Sequence, residues 1–215
     1  MATGHRLTAT GLLHDSPGRN TYPDFSLVNT AEGFEVKGLA YPGREASYDS
    51  NSQIPVGVHN GRSIYYVFGR YPADVSESEY PLVDLIICHG NFLNSNNTYI
   101  HKNKSIKSFG SYGDIMIRDR KMYVAPTPFG LTTGTAAQRT LIVPDGSTVD
   151  DRFVEVGTLI RTETDKLVVG YHFDLVTNVL TPTTVPNPNV GIQHIFKAYR
   201  LRDDNHEQRV AMRLP

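Results

Sequence analysis

Cysteine is almost absent from this chain of 215 residues. Cys88 stands alone, which excludes an intramolecular disulfide framework and a cysteine-rich zinc site, and leaves stability to packing or assembly. Tryptophan is missing altogether, so the strongest stacking surface for a sugar ring or a cation is not available. Neither sign of charge prevails: 21 Lys and Arg face 22 Asp and Glu, and a formal net charge of −1 argues against nucleic acid as a partner. No apolar run is long enough for a transmembrane helix, so no membrane partner is expected. Near the start, Leu12-Leu13 follow Arg6 but are interrupted at Asp15, Pro17 and Gly18, too early for the core of a signal peptide. Synthesis in the cytoplasm is the expectation, with a virion as one destination. The two sequons, at Asn96 and Asn103, are read as chance matches in an Asn-, Ser- and Thr-rich chain.

Helical periodicity is lacking too. No stretch of about 12 residues combines three-and-four apolar spacing with freedom from Pro, Gly and β-branched clusters. Only Thr135–Thr140 could form a single helical turn. What is present is a succession of short apolar or alternating runs closed by turn residues, the rhythm of β-strands. In Lys166–Leu180, Leu167, Val169, Tyr171, Phe173 and Leu175 share one face while His172 and Asp174 share the other. Upstream, Phe153–Arg161 is β-rich, and the polar Thr162–Asp165 predicts a hairpin joining these two runs. A second hairpin is predicted from Asp114–Arg118 and Lys121–Ala125 about the corner Asp119-Arg120. Ser63–Phe68 and Pro81–Cys88, apolar at nearly every position, read as central strands covered on both faces. Further strands are expected at Leu7–Leu13, Phe25–Val28, Gly33–Tyr41, Ile54–His59, Thr98–His101, Thr140–Val143, Ile192–Leu201 and Glu207–Leu214. The fold class is therefore all-β: one domain over residues 1–215, an antiparallel sandwich or jelly-roll-like barrel of about a dozen short strands with little or no helix. Residues 1–24 are left as an extended N-terminal arm, and the Pro-rich 181–190 as a loop.

Chemistry-bearing residues are sparse. Cys88-His89 places a thiol beside a base, but neighbours on a strand point to opposite faces, and Leu85, Ile86 and Ile87 make Cys88 a small core hydrophobe. The eight histidines include no His-x-His and no His-Glu-x-x-His, so no metal is expected. Gly130 and Gly134 lack the lysine and the helix of a phosphate loop, and no cofactor is expected. Asp145, Asp150 and Asp151 lie in Asp-Gly-Ser turn chemistry rather than a calcium loop. Lys102, Lys104 and Lys107 form the only basic cluster. The aromatic stripe Tyr65, Tyr66, Phe68 and Tyr71, flanked by Arg62 and Arg70, is the most suggestive ligand patch, since aromatics stack on sugar faces and arginines add directional donors. The same residues fill a sandwich core equally well, with Tyr65 and Tyr66 on opposite faces.

One short stretch, Gly191–Arg200, resembles the Phe-Lys-Ala-Gly-x-Tyr strand of jelly-roll alginate lyases, and Gly43-Arg44-Glu45 is distantly similar to their Arg-bearing strand. That family's Gln-Ile-His strand is missing here, and the residues around its catalytic Tyr are replaced. The resemblance implies that a lyase would use His194 and Tyr199 as base and acid, with Arg44 or Arg161 neutralising the uronate. Alternation along a strand sets His194 and Tyr199 on opposite faces. Three functions are carried forward. The first is a non-catalytic structural or assembly protein of the viral capsid, decoration or tail type, with itself or other structural proteins as partners. The second is a carbohydrate-binding module using Tyr65, Tyr66, Tyr71, Arg62 and Arg70. The third is a glycan-active enzyme of the polysaccharide lyase type.

Overall fold

The computed structural model describes residues 14–15, 21–43, 45–50, 53–73, 79–95, 116–118, 122–132, 139–177, 179–202 and 211–213. Period-two burial marks the longer strands of the main sheet. In chain order the strands are β1 (His14–Asp15), β2 (Phe25–Leu27), β3 (Glu32–Tyr41), β4 (Ser47–Ser50), β5 (Val58–His59), β6 (Arg62–Pro72), β7 (Glu79–Pro81), β8 (Asp84–His89), β9 (Met116–Arg118), β10 (Met122–Pro126), β11 (Thr140–Pro144), β12 (Phe153–Thr162), β13 (Lys166–Asp174), β14 (Val179–Pro186), β15 (Gln193–Leu201) and β16 (Ala211–Arg213). Two single-turn helices interrupt them, α1 (Gly90–Leu93) and α2 (Pro128–Leu131). The protein is all-β, as composition and periodicity imply.

A large sheet runs β1-β2-β3-β6-β8-β11-β15-β12, with β5 also paired to β6. Its inner face presents Leu39, Ile64, Tyr66, Phe68, Ile86, Cys88, Ile142, Phe196 and Ala198, all buried. Against it lie Tyr48 of β4, Ala125 of β10, Phe92 and Leu93 of α1, and Ile54, which complete one hydrophobic cluster. β4, β10 and β9 form a second, three-stranded sheet. Two sheets thus share one core, with each fully buried Phe, Ile or Leu contributing roughly 1.5–3 kcal/mol. β6 and β8 are central, as their apolar runs predict, yet their outer face is only half-buried rather than fully covered.

The expectation of antiparallel pairing throughout needs correction. β3 runs parallel to β6 over ten residue pairs, from Glu32↔Ser63 to Tyr41↔Pro72, and β11 runs parallel to β8. Parallel neighbours require a long crossover, and here strands supply what helices supply elsewhere. The connection from β3 to β6 contains β4, and the connection from β8 to β11 contains β9 and β10, so the two crossovers build the covering sheet between them. Among the described residues nothing joins β12 back to β1, so the sheet is open and not a barrel.

The hairpin of β9 and β10 forms as read, with Met122 opposite Arg118. The other expected hairpin does not. β12 pairs with β15, and β13 pairs with β14. A period of two fixes the face a strand buries but not its partner. At the β12 end, Glu163 donates its backbone N–H to Ile192 O (2.9 Å), drawing the chain toward the 187–192 turn instead of folding it back. The Pro-rich loop is likewise a strand up to Pro186: β14 lies at the edge of a two-stranded sheet, where the N–H that proline lacks is needed only on one side.

Of the expected N-terminal arm, residues 1–13 and 16–20 lie outside the described residues. The described part packs down: β1 pairs with β2, and Tyr22 meets the His59 ring edge-on at 4.9 Å. The expected strands Leu7–Leu13 and Thr98–His101, residues 207–210 and 214 of the expected strand Glu207–Leu214, and residues 135–138 of the expected turn Thr135–Thr140 also fall outside, while Thr140 opens β11. Asn60-Gly61, both at positive φ (48° and 75°), forms the two-residue turn between β5 and β6. That is the Asn-Gly hairpin chemistry which the sequence carries. At Gly90 a Cβ would collide with the Val56 carbonyl, so only glycine lets the buried 53–57 segment lie against α1.

Candidate functional site

The aromatic stripe divides between two faces of β6 and makes no common surface. Tyr66 is 1% exposed, and its hydroxyl shares a 2.8 Å hydrogen bond with that of Tyr22; burial pushes the phenol well up. No sugar face can reach it. Tyr65, on the opposite side, stacks on Phe34 (5.8 Å) and meets His89 edge-on (5.4 Å). Tyr71 lies over Gly38. Both flanking arginines are engaged in the fold. Arg62 donates through Nη1 to Leu27 O (2.9 Å) and Thr30 O (2.8 Å). The Arg70 guanidinium is clasped between the rings of Tyr41 (4.7 Å) and Phe129 (4.3 Å), while it donates to Glu45 (2.9 Å) and to the buried Asp84.

The residues implied by the lyase resemblance are not brought together. His194 shares the inner face with Phe196, whereas Tyr199 pairs with Leu141 and Glu155 on the outer face. Arg161 sits opposite His194 in register and donates Nε to Phe92 O (3.1 Å). Arg44 lies outside the described residues. Cys88 is fully buried, and burial pushes its thiol well up, away from the thiolate. His89 caps α1 by accepting from Asn91 N at Nδ1. The Asp150 carboxylate accepts from the backbone and side chain of Arg152 and is held at about 2, a turn closed on itself. Among the described residues no group of three His, Cys, Asp or Glu side chains could hold a metal ion.

The structure assembles one polar constellation which spacing along the chain conceals. Glu163, 4% exposed, follows β12 and points inward. Its Oε1 accepts from Ser95 Oγ (3.1 Å) and lies 2.8 Å from His194 Nε2; its Oε2 accepts from Asn187 Nδ2 (3.0 Å). Ser95 Oγ also lies 3.2 Å from His194 Nε2. Serine, histidine and glutamate in contact invite comparison with a nucleophilic triad, but the atoms are wrong for it. In a triad the carboxylate holds Nδ1, leaving Nε2 to take the serine proton. Here a carboxylate that offers only acceptors sits on Nε2, so Nε2 donates and cannot act as the base for Ser95. Beside it opens a cleft of about 360 Å³, with Asn91, Asp145 and Gln193 on its walls. Its chemistry is hydrogen bonding, without an activated nucleophile.

The same constellation anchors the β13–β14 hairpin. Asn187 N donates to Asp165 O (2.9 Å) and Asn187 Nδ2 to Thr164 O (2.9 Å), while Gly191 N donates to Glu163 O (3.1 Å). Donors from four residues, Ser95, Asn187, Gly191 and His194, converge on a buried carboxylate and its neighbouring carbonyls and satisfy groups that would otherwise be stranded. Beyond this base, β13 and β14 pair only with each other among the described residues, and Thr181–Pro186 are exposed on both faces. At the tip, Asp174 Oδ1 accepts from Val176 N (2.8 Å) and Thr177 N (3.1 Å), and these bonds hold its carboxyl below the usual range. The turn is thereby fixed with Leu175 87% and Val176 95% exposed. The molecule is an all-β sandwich carrying a hairpin arm. Comparison with protein-family models, curated proteins and solved structures finds no match to any of them.

Proposed function

We propose that this is a non-catalytic structural protein that assembles with copies of itself, the kind of module found in capsids, decorations and tails of particles. The observation that carries this reading is the β13–β14 arm, whose hydrogen-bonded tip presents Leu175 and Val176 almost wholly to water. Large apolar side chains held out on an ordered turn are a liability for a lone molecule and a contact for an assembled one. The near-neutral charge of −1 supports it, since such a surface meets protein neighbours without long-range repulsion. The Glu163 constellation fits as well: its groups fasten the arm to the sandwich instead of activating a nucleophile.

Light scattering after size exclusion, at concentrations well above micromolar, tests the reading. The expected result is a defined oligomer or a concentration-dependent series, and L175D/V176D returns it to monomer with an unchanged circular dichroism spectrum. A wild-type chain that stays monomeric over that range overturns it.

A further inference from the structure

The turn between β5 and β6 carries a chemistry that its hydrogen bonding leaves open. Asn60 is the one asparagine in the chain that precedes a glycine, and it is exposed. Among the described residues no hydrogen bond engages its side-chain amide. A Cβ at Gly61 would meet nothing within 4 Å, so no neighbouring side chain crowds the backbone there. In place, the two residues are folded tightly at φ 48° and 75°. They leave that geometry at little cost, because β5 is two residues long, pairs only with β6 among the described residues, and has Val58 63% exposed. Arg62, across the turn, is pinned through its guanidinium to Leu27 O and Thr30 O, so the β5 side is the one that yields.

We infer that Asn60 is a site of spontaneous covalent modification, at which the side-chain amide is lost by cyclisation onto the backbone. When the turn opens, the Gly61 nitrogen gives its proton to solvent base and attacks Asn60 Cγ, an intramolecular step that needs no partner molecule. The N–Cγ bond forms, the Cγ–Nδ2 bond breaks, and ammonia departs with a proton taken from solvent. One water then opens the five-membered imide: at Cγ it gives aspartate, and at the backbone carbonyl carbon it gives isoaspartate. One water enters, one ammonia leaves, and nothing is oxidised or reduced. The two products act differently on the fold. Aspartate keeps the two-residue turn and adds one negative charge. Isoaspartate inserts a methylene into the backbone, so the turn no longer fits between the paired His59 and Arg62, and the edge-on contact of His59 with Tyr22 (4.9 Å) is lost. None of this depends on the assembly reading.

Ageing the folded wild-type chain in mildly alkaline buffer made with heavy-oxygen water, followed by peptide mapping in a mass spectrometer, tests this. The peptide carrying Asn60 is expected to be the first to exchange its amide for a hydroxyl, with one solvent oxygen incorporated and isoaspartyl and aspartyl forms both present. The rate is expected to rise with pH, since the attacking nitrogen must lose its proton. A chain unfolded in urea serves as the reference. Conversion at Asn60 in urea but not in the folded protein overturns the proposal, because the turn then protects the site; so does earlier conversion at another asparagine of the folded chain. Asn60→Asp, made directly, checks the structural step: it is expected to keep the wild-type NMR signals of the Tyr22 and His59 rings, while the aged protein shows a second, shifted set. An aged protein whose ring signals match those of Asn60→Asp throughout overturns the lengthened turn.

Discussion

Arg70 illustrates how one side chain can tie several parts of this sandwich together. Its guanidinium stacks between two rings and pairs with two carboxylates, one of them, Asp84, only 7% exposed. Arg70→Leu leaves Asp84 as a buried charge without its cation, a loss of about 3–5 kcal/mol, read as a lower urea midpoint. Arg70→Lys is expected to recover little of it, because an ammonium cannot present a planar fork to two carboxylates while stacking on rings. His89 supplies a pH dependence. Burial keeps its imidazole below the ordinary 6.5, so the unfolded chain takes up the proton first. Its contribution is whole above about 6.5 and is lost as pH falls through that value toward the folded pKa. His59, shifted the same way by burial, adds to the slope. Denaturation midpoints of wild type between pH 7 and pH 5 should therefore fall, and His89→Gln should flatten the decline. At this scale some chemistry was legible in the sequence and some was not. The apolar neighbours of Cys88 announced a core residue. Glu163, Ser95 and His194 had no such announcement, for they are separated by 31, 68 and 99 positions and only the fold makes them neighbours.

Among the elements, the arm depends on the polar knot beneath it. Asn187→Ala removes the donor from Glu163 Oε2 and from Thr164 O, leaving a buried carboxylate oxygen short of a partner. The expected loss is about 1–3 kcal/mol, concentrated locally. Amide hydrogen exchange should rise over 166–186 while β6 and β8 keep their protection, and uniform acceleration across both would contradict the anchoring role. The arm also shows where strand patterns run out. Alternation from Leu167 onward marked a strand at β13, but a bulge between Val168 and Gly170 interrupts it, the run expected to reach Leu180 turns back at 175–177, and its partner was misjudged, because facing is local and pairing is not. Prolines at 182 and 186 suggested a loop, when an edge strand with one free side accommodates both. The Asn60-Gly61 turn, not among the hairpins expected from the sequence, rests on local chemistry alone: two adjacent residues that take positive φ.

For the molecule as a whole, the all-β class followed from turn-bounded runs and the absence of a helical period, and the centrality of β6 and β8 followed from their continuous apolar character. The parallel pairs did not, since nothing in a strand's own residues records the direction of its neighbour. That topology bears on how the chain is made. β4 lies inside one crossover and β10 inside the other, and they pair Ser47 with Pro126. During synthesis β4 therefore leaves the ribosome long before its partner exists, and β6 emerges with Ile64, Tyr66 and Phe68 facing a covering layer that is still incomplete. The nascent chain passes through an interval in which its future interior is the stickiest surface it owns, and its yield in a cell depends on how that interval is sheltered.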